Sequence, residues 1–315
     1  MSAEKNLIYI KKAIKKLGGK LETVSEPRFT YRINIGKKSL IFSIKLILRD
    51  SLATTSRLTK CKDLTTRLLE EKKIRTPKTF LINENITKVK LKSIFKMLRF
   101  PIVIKDSQGS ESRGVFTGIN SASEGLKIIK EHLPIHKSML IQETAIGTEY
   151  RVLVLDKKIL GVLELIPPFV IGDGKTKIGE LIQKKQMHTP SKTPLDSILK
   201  KILGSQMENL GSIPIKGKKV FLRNNSCLAE GGVSIDRTEE ISPALAKICQ
   251  RAVRTVGLRM GGIDLLCADI KKGEKDYSIL EINGKPDLYI HHKPTIGKPR
   301  DVSKEIISYI FKEGL

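Results

Sequence analysis

The chain has 315 residues, enough to bury a large core and to divide into two or three lobes. Its 58 Lys and Arg exceed its 33 Asp and Glu, a formal charge of +25 that raises the question of an anionic partner. The positives fall in short clusters such as Lys11-Lys12, Lys72-Lys73 and Lys218-Lys219. With aromatics at 5% and no Trp, a base-stacking platform for nucleic acid is disfavoured, and a lysine-rich solvated surface explains the charge as simply.

Taken in chain order, Leu7, Ile10, Ile14 and Leu17 make a helical stripe that ends at Gly18-Gly19. This N-terminus opens an amphipathic helix and not an apolar signal segment. Strands are expected near 21–24, 31–35 and 40–48, then a polar loop over 50–59. Lys62 to Lys73 reads as a helix with Leu64, Leu68 and Leu69 inward, stopped by Thr76-Pro77. A strand over 79–82 and a helix over 87–98 precede a β-branched run at 102–104. A helix is expected over 122–132, then strands over 139–143, 150–155 and 159–165. Gly172-Asp-Gly-Lys is a turn, 178–186 a short helix and 187–197 a mobile polar loop that holds His188. Ser242 caps a helix that begins with Pro243, and a last helix covers 302–311. Strands and helices mix without strict βαβ alternation, so the fold class is α+β or mixed α/β. Cys61, Cys227, Cys249 and Cys267 lack C-x-x-C spacing, which argues against a disulfide framework or structural zinc and for a reduced, cytoplasmic protein. No run reaches transmembrane length, so no membrane partner is expected.

Two stretches carry chemistry. In the first, the β-branched run ends on Lys105 and enters a small-residue loop containing Gly109, Ser110 and Gly114. Exposed backbone N–H groups beside one lysine can cradle phosphate, although an ordinary hairpin turn explains such a loop equally well. In the second, Met260-Gly-Gly-Ile-Asp-Leu-Leu-Cys267 and Tyr277-Ser-Ile-Leu-Glu-Ile-Asn283 read as apolar strands interrupted by carboxylates. Glu281 and Asn283, two apart, share a face, with Leu280 and Ile282 on the other. If the strands are neighbours, Asp264, Glu281 and Asn283 converge as an oxygen set suited to Mg²⁺. A pair of salt bridges to lysines is the alternative, and Asn283 has no place in one.

These residues resemble the ATP-grasp carboxylate–amine ligases, and most of all the ATP-grasp module of cyanophycin synthetase and bifunctional glutathione synthetase. The resemblance runs from about Leu7 to Phe311 and is carried by Val170-Ile-Gly-Asp-Gly-Lys, by Val220-Phe-Leu-Arg-Asn-Asn-Ser with Glu230-Gly-Gly, and by Gly297-Lys-Pro-Arg-Asp-Val302. It implies the grasp module standing alone: an N-terminal subdomain over 1–80, a lid lobe over 81–146 and a catalytic lobe over 147–315, the two lobes gripping ATP. By motif position, Lys62 and Lys105 resemble the phosphate lysines, and Gly109, Ser110, Arg113 and Gly114 the closing loop. Gln142, Glu143 and Ile146 resemble the adenine hinge, and Glu149 the ribose acid. Arg151 and Arg223 resemble the catalytic cations around the γ-phosphate and acyl phosphate, and Asp264, Glu281 and Asn283 the metal ligands. Cys61 stands where the family has Asp, and Ser112 where it often has Gly.

The implied activity is an ATP- and Mg²⁺-dependent ligase that joins the carboxylate of an amino acid or peptide to an amine through an acyl phosphate. Two metal ions, or Mn²⁺ in place of Mg²⁺, fit the same pattern. An acidic polymer or peptide partner and a homo-oligomer stay open. Two other functions compete: a catalytically silent nucleotide-binding or scaffold protein, against which all three metal-ligand types are present, and a basic module that binds an anionic polymer. Residue by residue, Glu149 and Arg151 read equally as a surface ion pair, Arg223 as an exposed strand residue, and His291-His292 as surface or substrate-pocket residues.

Overall fold

The computed structural model describes residues 2–26, 30–43, 58–107, 109, 114–187 and 192–313. The chain forms two compact units. The first holds residues 1–162, 238–289 and 301–315, and the second residues 163–237 and 290–300.

The first unit opens with α1 (Ser2–Lys16), whose Ile10, Ala13 and Ile14 are buried as the stripe requires. Gly18, at φ 70°, turns the chain into an antiparallel sheet of β1 (Lys20–Ser25), β2 (Thr30–Ile35) and β3 (Lys38–Ser43). The expected continuation of β3 to residue 48 and most of the loop over 50–59 lie outside the described residues. Helix α2 (Lys62–Glu71) buries Leu69 but exposes Leu64 and places Thr65 and Thr66 inward instead. The apolar pattern misled here because both threonine hydroxyls are satisfied locally, Thr65 by the Leu58 carbonyl and Thr66 by that of Lys62.

A second sheet follows: β4 (Thr79–Asn83), β5 (Ile102–Asp106), β6 (Val115–Ile119) and β7 (Ser138–Glu143), in the order β4-β7-β5-β6. Strand β6 was not anticipated from the sequence. Helices α3 (Lys88–Met97) and α4 (Ala122–His136) cover one face, where Ile94, Phe95, Ile129 and Leu133 pack on Ile102, Ile104 and Ile141. The α4 helix runs four residues past the expected stop at His132. Pro134 falls in its last turn, where only one ladder bond is lost. Lys137, in the left-handed region, then closes it with an N–H bond to the Leu133 carbonyl.

The third layer is built on β8 (Thr148–Leu155), β13 (Met260–Cys267) and β14 (Tyr277–Asn283), with the first residues of β9 (Lys158–Ile166) beyond β8. Its back face carries Val152, Ile263, Leu265, Ile279 and Ile282 against Leu245, Cys249 and Val253 of the helix Pro243–Thr255. Ser242 caps that helix, its hydroxyl accepting from the Leu245 N–H. A further core joins α1 to the C-terminal helix Val302–Glu313 through Ile14, Ile306 and Ile307.

In the second unit the last residues of β9 pair antiparallel with β12 (Val233–Asp236), and β10 (Phe169–Ile171) pairs with β11 (Lys219–Phe221). The expected helix is present at Ile178–Met187. A second one, Ser197–Ser205, has no counterpart among the expected elements, although Asp196 caps it through the Leu199 N–H. Residues 188–191, including His188, lie outside the described residues.

Candidate active site

Antiparallel pairing explains why acids and bases meet on the front of the β8-β13-β14 sheet. Asp264 is the direct partner of Arg151 on one side and of Glu281 on the other, and Gly262 is the partner of Asn283. Residues two apart on a strand share a face, so Glu149, Arg151, Asp264, Glu281 and Asn283 stand together opposite the apolar core. The metal triad expected from the sequence is therefore brought to one surface.

One detail differs from the expected alternation. The register slips between Asp264 and Leu265, whose partners are Glu281 and Ile279. Leu280 is the extra residue of this bulge and is only half-buried, while Ile279 and Ile282 are buried. The bulge lets β14 keep a continuous buried side and still present Glu281 and Asn283 forward.

Asp264 is the most perturbed carboxyl of the group. Burial pushes it up to about 7; Glu281 and Glu149 push the same way, and Arg151 and Lys62 pull against them. The Arg151 Nε lies 2.7 Å from Asp264 Oδ1, yet neither atom has a hydrogen bond of acceptable geometry. An acid held this way, beside a second carboxylate and an amide oxygen, fits a hard divalent cation that takes its other ligands from phosphate or water. No group of three or more His, Cys, Asp or Glu suited to a metal occurs among the described residues, so a cage built wholly from such ligands is not what these residues offer.

Two lysines face this surface. Lys62, the first residue of α2, donates to the Gly109 carbonyl at 2.6 Å and lies 3.7 Å from Glu281 Oε2. Lys105, on β5, is brought down to about 8 by burial and by the charge of Lys62, against the opposing pull of Glu281 and Asp264. Its ammonium donates to Gln142 Oε1 at 2.9 Å, and Gln142 Nε2 donates to the Thr79 hydroxyl at 2.7 Å. Thr79 went unnoticed in the sequence: it lies 63 residues from Gln142, and only the β4-β7 pairing brings them side by side.

The loop after β5 is described at Gly109 and from Gly114 onward; Ser110 and Arg113 lie outside the described residues. Gly114 has φ 67° and its carbonyl accepts from the Asp106 N–H. Beside it, His136 Nδ1 and Asp106 Oδ2 lie 3.2 Å apart, a pair that no sequence spacing suggested.

The expected hinge is tied down by its backbone. The Glu143 N–H bonds the Lys78 carbonyl, Thr144 bonds that of Pro101, and the Glu143 carboxylate accepts the Arg99 N–H. Ile146 is 90% exposed, so its side chain is not core. Gly147, at φ 139°, lies so close to the Cys267 backbone that a Cβ would sit 2.8 Å from it.

Arg223 belongs to the second unit. It is 3% exposed, against the exposed strand position that was one expectation. Its Nε donates to Glu230, its Nη2 to Asp196 and the Pro194 carbonyl, and its Nη1 to the Leu222 carbonyl. His291 and His292 of that unit are likewise buried, not surface residues.

The RimK-like ATP-grasp domain family matches residues 59–168. A cyanophycin synthetase of Trichormus variabilis is 33% identical over 223 residues, which is 67% of this chain and 25% of that protein. A glutathione biosynthesis bifunctional protein of Clostridium perfringens is 31% identical over 269 residues, 82% of this chain and 34% of that one. The crystal structure of a bifunctional glutathione synthetase from Pasteurella multocida superposes with a TM-score of 0.73 at 24% identity, covering 98% of this chain and 44% of its own. The chain thus spans about a quarter to a third of the length of these curated relatives. Residues 59–168, which contain Lys62, Lys105, Gln142, Glu149 and Arg151, thus belong to the RimK-like ATP-grasp domain family, within a chain whose fold matches that glutathione synthetase structure over 98% of its length.

Proposed function

We propose that this chain is an ATP-dependent carboxylate–amine ligase that makes a peptide-type bond between small amino-acid or peptide substrates. The observation that carries this reading is the single charged surface where Lys62, Lys105 and Arg151 stand with Asp264, Glu281 and Asn283. In the reaction, a substrate carboxylate oxygen attacks the γ-phosphorus of ATP and ADP leaves. The amine nitrogen then attacks the carbonyl carbon of the acyl phosphate, inorganic phosphate leaves, and the nitrogen gives up a proton.

No protein nucleophile is required. Lys62 and Lys105 bind phosphate oxygens and oppose the charge that builds on the transferred group. Arg151, with its Nε 2.7 Å from Asp264 Oδ1, adds positive charge at the same surface and by motif position stands with Arg223 around the γ-phosphate and acyl phosphate. Asp264, Glu281 and Asn283 would hold Mg²⁺, which supplies charge neutralisation on the transferring phosphoryl group when bound. Two ions, or Mn²⁺, belong to the same reading. The backbone of the Gln142–Ile146 hinge would face the adenine, Glu149 the ribose, and the small-residue loop that includes Gly109 and Gly114 the phosphates. Arg223 enters this reading by motif position alone; its guanidinium is held by Glu230, Asp196 and the carbonyls of Pro194 and Leu222.

The division into an N-terminal subdomain over 1–80, a lid lobe over 81–146 and a catalytic lobe over 147–315 is part of this proposal. So is a cytoplasmic setting, which the free Cys61, Cys227, Cys249 and Cys267 support. No helix among the described residues is long and apolar enough to cross a membrane.

An ADP-release screen of paired amino acids and dipeptides, read by mass, tests the reaction. The expected result is pair-dependent ADP release and a product lighter than the two substrates by one water. Glu281→Gln keeps the shape and removes a charge, so it should lower ADP release about 100-fold or more with the fold intact by circular dichroism. Near-normal release by that variant at saturating Mg²⁺ would remove Glu281 from the metal site.

A further inference from the structure

Lys105 does not meet a carboxylate at hydrogen-bond distance on its own sheet. It meets the neutral amide of Gln142, which is 4% exposed. That amide has two different ends, and which one faces the lysine decides whether the contact attracts or repels. An ammonium only donates, so it needs the carbonyl oxygen. The orientation is set at the other end of the amide. The Thr79 hydroxyl donates to the Pro77 carbonyl at 2.7 Å. Having one proton, it can then only accept from Gln142, and only the Nε2 end can donate. Lys105 donates a hydrogen bond to Gln142, Gln142 to Thr79 and Thr79 to the Pro77 carbonyl, where the chain ends. The three side chains share one face of the β4-β7-β5 sheet, because Thr79 and Val103 are both register partners of Gln142 and Lys105 is two residues past Val103.

We propose that Thr79 is a positioning residue for the phosphate-binding lysine: its hydroxyl locks the Gln142 amide so that the carbonyl oxygen holds the Lys105 ammonium in place without neutralising it. A carboxylate at position 142 would hold the lysine as firmly but cancel the charge that a phosphate needs. Without the hydroxyl, Nε2 loses its acceptor, the buried amide is no longer anchored at that end, and its carbonyl oxygen holds the ammonium less firmly in place. This inference rests on the reading of Lys105 as a phosphate ligand.

The test uses the full chain and two substitutions. Thr79→Val keeps the shape and the strand propensity but removes the hydroxyl, and Thr79→Ser restores it. Thermal melts establish that both fold. Calorimetry with inorganic tripolyphosphate should show Thr79→Val weaker by about five- to tenfold and Thr79→Ser within about twofold of wild type. In protein labelled with ¹³C-lysine and free of nucleotide, the Lys105 Cε signal, assigned with Lys105→Arg, should move in Thr79→Val and return in Thr79→Ser. A signal that does not move in Thr79→Val overturns the lock. A signal that moves with no loss of tripolyphosphate affinity, or a wild-type chain that binds no tripolyphosphate, overturns the assignment of Lys105 to phosphate and this inference with it.

Discussion

Asp264 shows how one residue can be placed for function at a cost in stability. Its carboxyl is raised to about 7 in the folded chain, mainly by burial, and lies near 4 when the chain is unfolded. Because the folded value is the higher one, its contribution to stability is fully present below about pH 4 and is lost as pH rises through 7. Asp264→Asn cannot ionise and so avoids the loss. In the absence of metal and nucleotide it should be more stable than wild type by roughly 2 to 4 kcal/mol at pH 8, with the gap closing near pH 4. Urea melts at both pH values check this, and the variant should have lost ADP release. A variant less stable than wild type at pH 8 would show that Arg151 depends on the charge of its neighbour more than burial opposes it.

At the scale of elements, the site depends on strand register, and register depends on a few backbone positions. Gly147 is one. It enters β8 at φ 139° against the Cys267 backbone, and β8 then carries Glu149 and Arg151 to their places opposite Leu266 and Asp264. Gly147→Ala adds a Cβ where backbone already lies and demands a conformation that L residues avoid. It should cost roughly 1 to 3 kcal/mol and lower ADP release more than Glu149→Gln does, because it displaces two side chains at once. Thermal melts with activity assays separate the two effects. A Gly147→Ala chain with wild-type stability and turnover would mean that β8 has slack at its start. Asp173 anchors another turn: its carboxylate accepts from the Thr176 hydroxyl and from the Lys175 and Thr176 N–H groups, which hold it at about 2. This explains why the Gly172-Asp-Gly-Lys segment was legible as a turn from sequence.

For the whole molecule, the charge of +25 is far more than a phosphate site needs. Many of the basic side chains are exposed, where salt screens them, while Lys105 is largely buried. If an acidic peptide or polymer is a partner, retention on a polyanion column should fall steeply between about 50 and 200 mM salt. Turnover of a small-substrate pair should change little over the same series. A chain that is not retained even at low salt carries its charge for solubility alone.

The α+β class, most helices to within a few residues, and the chemistry available are legible in the order of residues alone: lysine ahead of a small-residue loop, carboxylates inside apolar strands, an asparagine two residues from one of them. These are legible because a polar group in an otherwise buried strand and a capping residue before a helix are local in the chain. Tertiary structure decided the rest. Only strand pairing sets Asp264 between Arg151 and Glu281, joins Thr79 to Gln142 across 63 residues, and brings Asp106 to His136. Burial, which raises Asp264, lowers Lys105 and encloses Arg223, is likewise a property of what packs around a residue and not of its neighbours in sequence.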